Sequence, residues 1–208
     1  MTRAAVLVSG DGALLQAILD SMYFGEIPDF RLCAVICSDE GAYAMRRAKN
    51  AGVEAFAVEP AMFPTRLSYS KAVCNKLMDM DIDLVILAGY DMPLGVISMQ
   101  FRKRIIGVYP SIVPAFADCE DSPVKAAIER GCRVTGATVY FADDDGNIGP
   151  IISQQAVDIL PGDTAETLTQ RITQESAWKL LPSAVILYCR GMLEIRGDRV
   201  VIKEDKEF

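Results

Sequence analysis

Glycines, acidic residues and hydroxyls gather in four stretches of this sequence where they could handle a small ligand, yet the chain contains no histidine. In Ser9-Gly10-Asp11-Gly12-Ala13-Leu14 two glycines permit a tight strand-to-helix turn, and backbone N–H groups at the helix start can cradle an anion. Both readings stand for this loop. It is not Gly-x-Gly-x-x-Gly, and Asp11 repels a phosphate that comes close. Tyr109 is a phenol, an ordinary group with pKa near 10, so at neutral pH it donates a hydrogen bond and is a poor base. Asp143, Asp144 and Asp145 offer carboxylates beside Asn147, either as substitutes for a missing base or as a solvated charge run. Together with the acidic stretch Asp118-Cys119-Glu120-Asp121 they permit a weak divalent-metal site, but without rigid ligand spacing no metal is expected. The six cysteines form no Cys-x-x-Cys pair and read as reduced thiols; a reactive thiol at Cys119 has nothing nearby to lower its pKa.

The elements that must position these loops follow from periodicity. Apolar runs of strand length alternate with amphipathic runs of helix length, which predicts stacked βαβ units: an α/β fold with a mostly parallel sheet and helices on both faces. Strands are expected at 4–9, 31–37, 54–58, 84–88, 105–108, 134–141 and 151–157, and helices at 13–22, 42–51, 65–80, 94–101, 123–130 and 164–188. Pro123 after Ser122 suits a helix's first turn, and Asp163 with Glu166 reads as a capping pair. Pro182 predicts a kink or two consecutive helices within 164–188, and Gly197-Asp198 predicts a hairpin over about 192–204. In an open sheet of this kind ligands bind beyond the carboxyl ends of the strands. That selects the loops 10–14, 89–94, 109–122 and 143–150.

Composition sets bounds. At 208 residues and 51% hydrophobic the chain suits a single domain spanning 1–208 with a full core. A net charge of −7 argues against nucleic acid as partner, and Arg102-Lys103-Arg104 reads either as an anion patch or as a solvated helix end. No apolar run approaches the roughly 20 residues of a membrane helix, and the first residues lack a secretory signal pattern, so no membrane partner and a cytoplasmic location are expected.

Taken together, Val6-Leu7-Val8-Ser9-Gly10-Asp11-Gly12, Leu87-Ala88-Gly89-Tyr90, Pro110-Ser111-Ile112-Val113-Pro114, Val134-Thr135-Gly136-Ala137-Thr138-Val139 and Gly149-Pro150-Ile151-Ile152 carry a family likeness in order and spacing. Over about residues 3 to 190 the chain resembles the glycinamide ribonucleotide formyltransferase family. The resemblance implies a Rossmann-like formyltransferase fold and a reaction in purine biosynthesis, formyl transfer from 10-formyltetrahydrofolate to the amine of glycinamide ribonucleotide. That reaction needs a stabilised tetrahedral oxyanion and two proton transfers. The family supplies an asparagine and a histidine in Asn-Ile-His-Pro-Ser and an aspartate before Thr-Gly-Pro or Gly-Gly-Pro.

The matching positions here are Gly107, Tyr109 and Asn147, so all three catalytic side chains are changed. The substrate-phosphate loop, Gly-Ser-Asn-Leu in the family, corresponds to Gly12, Ala13 and Leu14 and loses two polar contacts. Its Pro-Gly-x-His stretch is replaced by the acidic run 117–123, and its later Glu-His pair reads Glu175-Ser176. On the folate side the resemblance points to Arg66, Asp91, Met92, Pro93, Leu94 and Gly107; Arg66 also reads as an ordinary surface helix residue. The resemblance therefore implies a catalytically impaired member, a pseudoenzyme, that binds a folate or nucleotide or regulates a partner. The alternatives are an active enzyme with a rebuilt site and a scaffold or interaction module. Homo-oligomerisation is compatible with each.

Overall fold

The structure is a computed structural model that describes residues 1–117, 119 and 121–203. Its main sheet has the order β3-β2-β1-β4-β5-β6-β7. The strands are β1 Thr2–Val8, β2 Phe30–Cys37, β3 Ala55–Ala57, β4 Leu84–Leu87, β5 Ile105–Tyr109, β6 Val134–Ala142 and β7 Ile148–Asp158. From β3 to β5 the pairing is parallel; β6 and β7 join antiparallel. Strand order reverses direction at β1 and β4, the place where open α/β sheets open a crevice at their carboxyl edge.

Alternation along β1 explains why the sheet is covered on both sides. Ala4, Val6 and Val8 enter one core cluster while Ala5 and Leu7 enter the other, and all five are at most 1% exposed. Three helices cover the first face: α1 Ala13–Tyr23, α2 Tyr43–Asn50 and α7 Trp178–Cys189. Leu15, Ile18 and Leu19 of α1 and Leu181, Ala184 and Val185 of α7 recur at helical spacing and pack there with Ala44 and Ala48 of α2. On the second face α3, Arg66–Asp79, contributes Tyr69, Val73 and Leu77, and α4, Val96–Gln100, contributes Ile97. A satellite cluster joins α5, Pro123–Glu129, and α6, Ala165–Ile172, to β6 and β7 through Val124, Leu168, Ile172, Ala137 and Val157. The hairpin expected near the end is present as β8 Leu193–Arg196 and β9 Arg199–Ile202. Among the described residues no helix is long and apolar enough to cross a membrane.

Ser122 caps α5 by accepting the Lys125 N–H, with Pro123 in the first turn as the sequence predicts. Three expectations are corrected. The interruption in the last helical stretch is a π-helical turn at Thr173–Ala177, and α7 runs through Pro182 unbroken. Pro182 lies inside α7, which continues on both sides of it. Asp163 does not cap α6: Thr164 does, in a reciprocal pair with Thr167, while Asp163 accepts two hydrogen bonds from the Arg171 guanidinium at 2.6 Å. Finally β7 begins at Ile148 rather than 151, so the expected loop over 143–150 shrinks to a tight turn.

Candidate active site

Three of the selected loops meet at the carboxyl ends of β1, β4 and β5. Ser9 ties two of them together: its N–H donates to the Gly89 carbonyl at 3.0 Å and its Oγ accepts the Asp91 N–H at 3.1 Å. Gly12 caps α1 in the left-handed region, φ 76°, and a β-carbon there would meet Ala44 Cβ at 2.9 Å, so this close approach to α2 requires glycine. Asp11 turns its carboxylate onto the helix start, where Oδ1 accepts the Ala13 N–H at 3.1 Å. A negative charge thus already sits at the positive end of α1. Arg47 is the nearby cation, and it is engaged elsewhere: Nε donates to the Asp11 carbonyl at 2.9 Å and Nη1 to Gln16 Oε1 at 3.0 Å.

Gly12, Ala13 and Leu14 border a cavity of about 210 Å³ whose far wall is Thr169, Ile172, Thr173 and Ala177. Arg66, Asp91, Met92 and Pro93 border a second, of about 510 Å³, with Phe63 and Tyr69. Leu94 is placed differently: it is 5% exposed and packs into the core instead of lining the second cavity. Gly107 lines neither cavity. Tyr90 is half-buried, and its hydroxyl lies 2.9 Å from that of Tyr69; burial and then this hydrogen bond push Tyr90 far above the ordinary phenol range.

The centre of the site is β5 against β6. Gly107 pairs with Tyr140 across the antiparallel ladder, so both face the same side of the sheet. A β-carbon on Gly107 would lie 2.8 Å from both Cζ and Oη of Tyr140 and 3.2 Å from Leu87 Cδ1. The tyrosine therefore fills the space that a side chain at 107 would need. Burial, then the nearby Tyr109 and Asp143, push the Tyr140 hydroxyl up to about 12, so at neutral pH it is a proton donor in hydrogen bonds and cannot act as a base. Tyr109 ends β5 with its hydroxyl donating to the Phe116 carbonyl at 2.6 Å, which commits its proton to the following loop. The same loop is pinned by Thr138, which donates to the Ser111 carbonyl at 2.7 Å and accepts the Val113 N–H.

Asn147 sits exposed in the turn between β6 and β7, where Asp143 Oδ1 accepts the N–H groups of Asp145 and Asn147. Asp144 is paired with Arg102 on the surface, and the guanidinium holds its carboxyl below the usual range. Two of the three carboxylates of the 143–145 run thus have structural partners. Of the acidic stretch 118–121, Asp118 and Glu120 lie outside the described residues. Among the described residues no cluster of three or more potential ligands could hold a metal ion.

Sequence reasoning missed Tyr140 and the wall formed by α6 and the π turn. Thr169, Ile172 and Thr173 do share one helical face by spacing, but the sequence does not say which loop that face meets.

Comparison with known proteins agrees with this fold. Residues 2–185 match the family model described as formyl transferase. The phosphoribosylglycinamide formyltransferase of Haemophilus influenzae is 31% identical over 95% of this chain and 92% of its own length. The trifunctional purine biosynthetic protein adenosine-3 of Drosophila pseudoobscura is 35% identical over 92% of the chain, which spans only 14% of that longer protein. A glycinamide ribonucleotide transformylase 1 structure from Symbiobacterium toebii superposes with a TM-score of 0.92 at 41% identity, covering 98% of this chain and 95% of that one. The chain belongs to the formyl transferase family, in its phosphoribosylglycinamide formyltransferase group.

Proposed function

We propose that this member of the family binds a small molecule in its cleft, acts in the cytoplasm as one unit over 1–208, and transfers formyl groups poorly. The observation that carries this reading is the Tyr140 ring against Gly107. The family's reaction needs an amide donor for the oxyanion and an imidazole and carboxylate for proton transfer. Here the first position is a glycine overlaid by a phenol, the second is a phenol bound to the Phe116 carbonyl, and the third is an exposed amide. None of the three is an imidazole or a carboxylate, and Asp143 Oδ1 is occupied in building its turn.

The second cavity fits the family's cofactor class. Phe63, Tyr69, Met92 and Pro93 give an aromatic and apolar wall for a flat ring system, with Arg66 as the cation for a carboxylate tail. When bound, 10-formyltetrahydrofolate would supply the formyl group. The residues of this chain would hold and orient it and exclude water, and no side chain described above would move the protons.

The test is formyl transfer from 10-formyltetrahydrofolate to glycinamide ribonucleotide by the purified protein, beside an authentic family enzyme. Loss of a general acid–base group costs about 10²–10⁴ in rate, so a deficit of at least that size is expected while folate binding persists. Transfer at the rate of the authentic enzyme sinks the proposal.

A further inference from the structure

The side chains around the smaller cavity are poorly matched to a phosphate ester. Asp11 is the single charged residue in its lining. The hydroxyls of Thr169 and Thr173 donate to the carbonyls of Ala165 and Thr169, at 2.7 and 2.8 Å, so toward the cavity their oxygens remain acceptors. Much of the rest is apolar, with Leu14, Val108, Ile172 and Ala177 among the walls. An anion entering here would meet the Asp11 carboxylate, which already occupies the positive end of α1, and acceptor oxygens, while the nearest guanidinium, Arg47, is held by the Asp11 carbonyl and Gln16 outside the wall. A cation with an apolar body would find complementary partners for both ends. At about 210 Å³ the space is also smaller than the roughly 300–1,000 Å³ of common ligand sites, which favours a compact molecule.

We propose that this cavity takes a compact, phosphate-free amine, its cationic head against Asp11 and its apolar body against Leu14, Val108 and Ile172. The inference rests on the reading that the loop at Gly12, Ala13 and Leu14 lacks two polar contacts to a phosphate, but it is separable from the reading that transfer is impaired.

The experiment titrates the full chain by calorimetry with cyclohexylamine, inorganic phosphate and glycinamide ribonucleotide as probes. Cyclohexylamine is expected to bind more tightly than phosphate or the ribonucleotide. Asp11→Asn should weaken the amine at least ten-fold; the amide oxygen can still accept the Ala13 N–H, so the loop keeps its shape while the charge goes. The double variant Ala13→Ser, Leu14→Asn should weaken the amine and gain measurable phosphate binding. The proposal is overturned if phosphate or the ribonucleotide binds the unaltered protein more tightly than the amine, if no amine binding is detected, or if Asp11→Asn leaves it unchanged. Formyl transfer to the bound amine would overturn the impaired-transfer reading and keep this one. Absence of both transfer and amine binding would sink this inference alone.

Discussion

An asparagine at position 107 is more than a one-residue change, because its β-carbon would come 2.8 Å from the Tyr140 ring and hydroxyl. Overpacking of that kind typically costs ~1–3 kcal/mol. Gly107→Asn is therefore expected to lower stability by about that much, measured by denaturant unfolding, and Gly107→Asn combined with Tyr140→Ala should be less destabilised than the sum of the two single changes. Neighbours sharing one volume show coupling of roughly 0.5–3 kcal/mol, and strict additivity in the double-mutant cycle would show that the two positions do not compete. For the same reason the triple change Gly107→Asn, Tyr109→His, Asn147→Asp should not reach the transfer rate of an authentic enzyme; a full recovery would mean that Tyr140 moves aside freely. The motifs alone single out Gly107, Tyr109 and Asn147 as the positions that correspond, by resemblance, to the family's catalytic side chains. They do not single out Tyr140, since its bearing on Gly107 depends on a pairing between strands more than thirty residues apart in sequence, and nothing local fixes that register.

Elements were read from the sequence where their periodicity is decisive and missed where two local signals compete. The alternation of β1 and the spacing of Leu15, Ile18 and Leu19 in α1 leave little choice of structure. At the start of α6 Asp163 and Thr164 are adjacent candidate caps, and the aspartate accepts from Arg171, eight residues on, while Thr164 caps. That arrangement has a pH signature. The Arg171 hydrogen bonds hold the Asp163 carboxyl down at about 2, below its ordinary value of 3.8. A folded-state pKa below the unfolded one gives stability that is complete above the unfolded value and is lost as pH falls toward the folded one. The protein should accordingly lose thermal stability between about pH 4 and pH 2, and Asp163→Asn should lower the melting temperature by a few degrees at neutral pH while flattening part of that acid decline. An unaltered acid profile in Asp163→Asn would remove this pair from the account. The π turn at Thr173–Ala177 had no comparable signal: Pro182 points to an interruption in the stretch, but the one present lies several residues earlier.

At the scale of the molecule, one sheet serves both cores. Since successive residues of β1 enter opposite clusters, neither cluster can lose its packing without disturbing the strand that supports the other. The crevice loops hang from the same strands, β1, β4 and β5, so ligand binding and global stability are coupled through them. This predicts one cooperative calorimetric transition for the chain. Leu7→Ala removes a fully buried side chain from the second face and Ile18→Ala removes one from the first. Each should cost ~2–5 kcal/mol, and each should shift the whole transition instead of splitting off a separate one. Hydrogen exchange should agree, with the amides of β1 and β4 opening only in global unfolding. The β8–β9 hairpin, whose two short strands pair only with each other, should open earlier. A saturating small-molecule ligand in the crevice should raise that single transition by the amount that its affinity and concentration dictate. Two resolved transitions, or a Leu7→Ala variant in which only one melts early, would show that the two faces fold independently and that the sheet between them does not transmit their packing.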